Sequence, residues 1–198
     1  MFMSELAKKI TNTLYEHGYI NFSQIDAYVY SFEITIASIV NLFLALVSAF
    51  YFQVFFEGVV YLITYAILRK NTGGFHFNNY ILCIGIYWII CVISFAMMKE
   101  IYISENVKLI IILLCYVYIL IVSPIENKNN PLTSNQVKYL TVKIRKIVFF
   151  LFMLSIFLKS SYLYLTAILI SAIQVCFFLM IEKIKEYFLD RRKSILTK

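Results

Sequence analysis

Charged residues are scarce in this sequence. Asp, Glu, Lys and Arg make up 15% of its 198 residues, against about a quarter in soluble domains. Glycine and proline, which mark turns and loops, number only 5 and 2, whereas 62% of the chain is apolar. A domain of this length has too little interior to bury so much apolar surface. The composition therefore excludes an ordinary soluble domain and a disordered chain, and it favours a protein dissolved in lipid.

Histidine and cysteine are few and widely spaced. The two histidines and four cysteines are His17, His76, Cys83, Cys91, Cys115 and Cys176. No two cysteines form a CxxC pair or have zinc-finger spacing, and the histidines are far apart. We therefore expect no metal site, no cofactor and no disulfide framework.

Six long apolar segments dominate the rest of the chain. They are residues 34–52, 54–68, 80–98, 107–122, 147–158 and 163–181. They are apolar on every face and do not alternate, which is typical of helices surrounded by lipid. A membrane-spanning helix needs about 20 residues, so the short fifth segment is expected to extend back toward Val142. The sequence predicts an all-α, polytopic membrane protein with about six transmembrane helices in a single domain, 1–198.

The two ends of the chain differ from these segments. Within the N-terminal region, 1–30, apolar residues recur at helical spacing over residues 4–20, which predicts an amphipathic helix with Ser4 as its N-cap. Such a helix lies in the membrane interface or docks on a partner. Region 1–30 lacks the continuous apolar run of a cleaved signal peptide. Residues 182–198 form a basic tail.

The net charge of +7 follows the membrane topology. With six spans and a cytoplasmic N-terminus, all of the 18 Lys and Arg residues fall on the cytoplasmic side except Lys99, Lys108 and Lys159. We therefore expect a multi-pass protein of the cell membrane with both termini and residues 69–79 and 123–146 in the cytoplasm. No nucleic-acid motif accompanies the charge. It serves topology and contact with anionic lipid, or it attracts an acidic peptide partner.

One segment, residues 69–83, departs from the lipid pattern. Its Gly73-Gly74 pair permits backbone conformations closed to other residues, and it predicts a re-entrant or interfacial turn. His76 and Cys83 follow, a residue pair that can act as base and nucleophile. On a straight helix, seven residues separate two side chains by about 10 Å. Either the glycines fold His76 back over Cys83, or the two residues are an ordinary loop histidine and a packed cysteine.

At these residues the sequence resembles the accessory gene regulator B (AgrB) family of membrane cysteine endopeptidases. The matching features are Arg69, Gly73-Gly74, His76 after one aromatic residue, and Cys83 seven residues later, with Ser123-Pro124 and 130–132 in the loop after the fourth span. The resemblance covers essentially the whole chain.

The resemblance implies an enzyme of quorum sensing. Cys83 would attack an AgrD-like propeptide with His76 as the base, release the acidic C-terminal tail, and pass the acyl group to a propeptide Cys or Ser. The product would be a cyclic thiolactone or lactone peptide. The resemblance further implies a homodimer. Residues for substrate binding or structural support would be Arg69, Gly73, Gly74, Lys128 and Lys138.

Two other classes of function fit parts of the sequence. A small transporter or peptide exporter would use polar residues within the spans, namely Asn41, Glu57 and Gln174. However, the chain has no internal repeat of the kind from which many transporters are built. A structural membrane subunit would need neither His76 nor Cys83 for chemistry.

Overall fold

A computed structural model describes residues 2–73, 80–125 and 133–196, without the side chains of residues 2, 80, 81, 83, 186 and 189–196. This part of the chain is all-helical and contains no strand, which confirms the predicted fold class. Its seven α-helices are α1 (Phe2–Glu16), α2 (Ile25–Tyr51), α3 (Phe55–Thr72), α4 (Tyr80–Met98), α5 (Glu105–Val122), α6 (Ser134–Phe157) and α7 (Tyr162–Leu196).

Helices α2 to α7 each overlap one of the six predicted apolar segments, and α2, α6 and α7 extend well beyond theirs. Of the described residues, three stretches are both long and apolar enough to cross a bilayer: Phe22–Tyr51, Glu105–Val122 and Tyr162–Lys185. They belong to α2, α5 and α7, and the protein is a membrane protein. In α4 the described apolar stretch is shorter, Ile84–Met98. Of the other two helices, α3 carries charges in its first and last turns, and α6 carries basic residues in its N-terminal half.

Helix α6 begins further back than predicted. The expected extension toward Val142 is present, and the helix continues back to Ser134, through part of the segment 123–146 that is expected in the cytoplasm. A capping box begins it. The Gln136 N–H donates to Thr133 Oγ1 at 3.4 Å, and the Thr133 N–H donates to Gln136 Oε1 at 2.9 Å. These two bonds satisfy donors that would otherwise be unpaired at the end of the helix.

The amphipathic N-terminal helix is present, but its predicted cap is wrong. Helix α1 begins at Phe2, so Ser4 lies inside it. It ends at Glu16, and Gly18 follows with a φ of 72° that allows the Tyr19 N–H to bond the Leu14 carbonyl at 3.0 Å. Ala7 and Thr11 are fully buried where α1 packs against α2. The helix therefore docks on its own chain.

Helix α7 forms the centre of the bundle, because it packs along both α3 and α5. Its buried side of small and aliphatic residues lets the neighbouring helices approach closely. The fully buried members of this side are Leu165, Ala167, Ile168, Ala172, Val175 and Leu179. A second cluster joins α2, α3 and α4. There a Cβ at Gly58 would lie 2.6 Å from the Ala49 Cβ, so glycine permits the close contact.

Contacts at the helix ends fix the relative directions of α3, α5 and α7. At one end, Ile125 after α5 bonds to Thr72 at the end of α3. At the other end, Lys108 near the start of α5 bonds to Thr166 near the start of α7. The three helices therefore run in the same direction. Tyr102, which follows α4, stacks on Tyr162 at the start of α7 with ring centroids 6.3 Å apart.

Lys108 is one of the three basic residues that the charge pattern places outside the cytoplasm, and the structure gives it a local role. Its side chain is fully buried. The Nζ donates to Thr166 Oγ1 at 2.7 Å and lies 3.1 Å from the centre of the Tyr162 ring. A buried ammonium needs such partners, because loss of water is otherwise costly. Lys108 thus ties α5 to α7.

Candidate active site at the end of α3

The last turn of α3 is organised by Arg69. Its guanidinium donates from Nη1 to the Gly73 carbonyl at 2.5 Å, and its Cζ lies 5.4 Å from the centre of the Phe178 ring on α7. A cation in the last turn also interacts favourably with the unpaired carbonyls of the helix end. Asn71 Nδ2 binds the Ile67 carbonyl at 2.7 Å. Polar side chains thus stabilise the carbonyl groups with which α3 ends.

Gly73 leaves the helix in a conformation that suits only glycine. Its φ is 73° and its ψ is −153°, and an added Cβ would collide with the Ile125 carbonyl oxygen. Gly73 and Ile125 form an isolated parallel β-bridge, in which the Ile125 N–H donates to the Thr72 carbonyl at 3.0 Å. Thr72 and Ile125 are buried. The loop after α5 therefore holds the chain in place where it leaves α3.

Two tyrosine rings join α3 to α4 close to the predicted nucleophile. Tyr65 lies four residues before Arg69, and Tyr87 lies four residues after Cys83. Their ring centroids are 5.4 Å apart, and Tyr65 also stacks on Tyr61 at 6.2 Å. Aromatic pairs of this kind add to the stability of a buried contact. The contact between Tyr65 and Tyr87 joins the two helices about one turn from Arg69 on α3 and one turn from Cys83 on α4.

The predicted site residues are described to different extents. Gly74, His76 and Lys128 lie outside the described residues. Cys83 is the fourth residue of α4, and its side chain is not described. Arg69 and Gly73 are brought together, as set out above. Lys138 is exposed in the second turn of α6, and no hydrogen bond or ion pair joins it to Arg69 or Gly73 within the described part of the chain.

Two residues of this arrangement were not found from the sequence. Ile125 directly follows the Ser123-Pro124 pair, and that pair was the only signal available for it. Phe178 gave no signal, since it is one of 18 phenylalanines and lies in a uniformly apolar segment. Both act through contacts between helices that are far apart in sequence, which no local pattern reveals.

The other cysteines are free thiols packed between helices. The Cys91 thiol lies 4.0 Å from the Tyr61 hydroxyl. The Cys176 thiol donates to the Cys115 carbonyl at 3.4 Å. Gln174 is buried and accepts a hydrogen bond from Tyr61. Within the described residues, no group of three His, Cys, Asp or Glu side chains could hold a metal ion.

These features define a class: an α-helical membrane protein in which two interhelical loops meet at the start of the Gly-Gly-aromatic-His…Cys element. The model of the accessory gene regulator B (AgrB) family matches residues 7–180 of the chain. The protein therefore belongs to the AgrB family, which confirms the resemblance seen in the sequence. Membership implies involvement in the processing of the quorum-sensing propeptide AgrD. Comparison with curated proteins gives no match, and comparison with solved structures gives none.

Proposed function

We propose that the protein is a membrane cysteine endopeptidase that removes the C-terminal tail of an AgrD-like propeptide and helps to cyclise the remainder. The observation that carries this proposal is the family match, because it spans the whole element from Arg69 to Cys83. The packing around that element supports it. The glycine conformation and the cross-loop bridge at Gly73 give the start of this element a defined geometry.

In the first step, Cys83 is the nucleophile and His76 is the base. His76 takes the proton of the Cys83 thiol, and the sulfur attacks the scissile carbonyl carbon. The C–N bond of the tetrahedral intermediate then breaks, and His76 returns the proton to the departing amine of the tail. This step leaves the N-terminal part of the propeptide bound to Cys83 as a thioester.

In the second step, a thiol of the propeptide replaces Cys83. The propeptide sulfur attacks the thioester carbonyl, Cys83 leaves as the thiolate and recovers a proton, and the ring closes as a thiolactone. A propeptide serine would give a lactone in the same way. In the thiolactone case one thioester replaces another, so little bond energy is lost. A site that excludes water favours this transfer over hydrolysis.

The other residues of the site support this chemistry. Arg69 and Gly73 hold the start of the segment that carries His76, since the guanidinium binds the Gly73 carbonyl. We assign to Gly74, which lies outside the described residues, a backbone requirement like that of Gly73. Lys128 and Lys138 lie on the loop and helix that follow Ile125, and we assign to them attraction of the acidic propeptide tail.

We further propose six membrane crossings, with both termini and the catalytic segment in the cytoplasm, and a homodimeric state. The common direction of α3, α5 and α7 supports the six crossings, because alternate helices of such a chain must be parallel. The bridge between Gly73 and Ile125 supports the placement of both loops on one side of the membrane.

The test is a cleavage assay in liposomes with the propeptide encoded nearest this gene, read by mass spectrometry. We compare the wild-type protein with Cys83→Ala and His76→Ala. Cys91→Ala serves as the matched control, since Cys91 lies two turns further along the same helix. The proposal predicts release of the tail by the wild type and the control only. Tail release by Cys83→Ala at the wild-type rate would refute it.

A further inference from the structure

We propose that Phe178 on α7 is a positioning residue for the catalytic segment and that it acts through Arg69. This inference rests on the function proposed above and adds to it a residue on a helix remote from the Gly-Gly element in sequence. The Phe178 ring is buried, with 7% of its surface exposed. Its centre lies 5.4 Å from the Arg69 Cζ.

The aromatic ring provides what an aliphatic side chain cannot. The face of a phenyl ring carries partial negative charge and attracts a guanidinium, more strongly where water is excluded. Arg69 is half-buried at the end of α3, so few water molecules compete for it. The ring therefore restricts the rotamers of the long Arg69 side chain and directs its donors.

The direction that the ring selects matters because Arg69 bonds the Gly73 carbonyl. Gly73 is the last described residue before segment 74–79, which contains His76. Ile125 fixes the Thr72 carbonyl from the other side. With Arg69 misdirected, the Gly73 carbonyl keeps only the longer hydrogen bond from Thr72 Oγ1, at 3.5 Å, and the point from which the catalytic segment starts is held less firmly. Displacements of about 1 Å in a catalytic group can reduce a rate roughly a hundredfold.

A positioning residue and a substrate-binding residue have different kinetic signatures. A residue that acts through Arg69 should, when it is lost, lower kcat and leave KM unchanged. Loss of a side chain that binds the propeptide would raise KM instead. The neighbouring Phe177 offers a matched control for loss of a phenyl ring on α7, because 56% of its surface is exposed. Its ring contacts Phe178 edge-on with centroids 5.9 Å apart, so the control also tests whether any loss of packing at Phe178 is enough to lower kcat.

The experiment compares wild type, Phe178→Leu, Phe178→Tyr and Phe177→Leu in liposomes with the propeptide, after gel filtration confirms that each is folded. We expect Phe178→Leu to lower kcat roughly tenfold, as loss of a desolvated cation–π contact predicts, with KM within about twofold. Phe178→Tyr retains the ring and should retain most of kcat. An unchanged kcat in Phe178→Leu, or an equal loss in Phe177→Leu, would overturn the proposal.

A second readout separates this inference from the proposed function. The rate at which iodoacetamide alkylates Cys83 is measured by mass spectrometry without propeptide. A displaced His76 activates the thiol less, so Phe178→Leu should slow alkylation several-fold and Phe177→Leu should not. If the wild type cleaves no propeptide but Cys83 alkylation responds to Phe178, the proposed function fails and the positioning role stands. If alkylation does not respond, the positioning role fails.

Discussion

Gly73 and Ile125 contact each other through their backbones, across two loops that are widely separated in sequence. The carbonyl of Ile125 occupies the space that a side chain at residue 73 would need, and its N–H binds the Thr72 carbonyl at 3.0 Å. This contact joins the end of α3 to the end of α5. It makes the geometry of the Gly-Gly segment depend on the loop that carries Ser123-Pro124.

The first prediction concerns Gly73→Ala. The added Cβ meets the Ile125 oxygen, and a φ of 73° is strained for alanine, at a cost of about 1–3 kcal/mol. We expect propeptide cleavage to fall at least tenfold while the protein still inserts into membranes. Gly85→Ala is the control, because the position of its Cβ on α4 is open. Wild-type cleavage by Gly73→Ala would show that the bridge has no role in catalysis.

The second prediction concerns the packing of α5 against α7. The Cys176 thiol lies 3.4 Å from the Cys115 carbonyl and is also within hydrogen-bond reach of the Cys115 thiol, so the two thiols should join when 4,4′-dithiodipyridine oxidises the protein in membranes. One thiol displaces a thiopyridone from the reagent, and the second thiol displaces the other. In a Cys83→Ser background, proteolysis between the two residues should leave fragments linked through a disulfide.

The controls for this cross-link are single substitutions. Cys115→Ser or Cys176→Ser should abolish the linked fragments, and Cys91→Ser should leave them unchanged. Linked fragments that persist without Cys176 would mean that α5 and α7 do not pack as described.

The third prediction concerns the buried ammonium of Lys108. Thr166→Val removes the oxygen that accepts its hydrogen bond at 2.7 Å and leaves a buried charge with fewer partners, which costs about 1–3 kcal/mol. The free energy of unfolding in mixed detergent should fall by that amount. The double variant Lys108→Met/Thr166→Val should recover much of the loss, because it removes the charge as well. Additive losses in the double variant would contradict the pairing.

The sequence predicted more of the fold than of the site. A helix in lipid needs a long apolar segment, so the approximate positions of α2 to α7 could be predicted from the apolar runs along the sequence. The start of α6 was missed because Lys138, Lys143, Arg145 and Lys146 resemble a solvated loop. The pair Thr133 and Gln136 has the spacing of a capping box and is the local signal for the start of this helix.

The site depended on contacts that the sequence does not encode locally. The Gly73 turn could be predicted, since adjacent glycines indicate special backbone conformations. Its partner Ile125 and the Arg69 partner Phe178 lie on other helices, and their contacts depend on how the bundle packs. For Arg69, the sequence left open whether it binds substrate or holds the loop. The bond to the Gly73 carbonyl favours the second role.

The fourth prediction concerns topology. In a variant with all four cysteines replaced by serine, single cysteines are introduced as Lys70→Cys, Thr133→Cys and Lys159→Cys, all at exposed positions. A membrane-impermeant maleimide should label the first two from the same side of the membrane and the third from the opposite side. Six crossings require this result. Labelling of positions 70 and 159 from one side would contradict it.

The central claim is that Cys83 carries the propeptide as a thioester, and the most direct measurement is the intact mass of the protein during turnover. The propeptide is made with its ring-closing residue replaced by alanine, so that the acyl group cannot be passed on. After acid quenching, the wild type should gain the mass of the tail-less propeptide less one water at Cys83, and hydroxylamine should remove it. Release of the tail without any adduct, or an equal adduct on Cys83→Ala, would contradict the account.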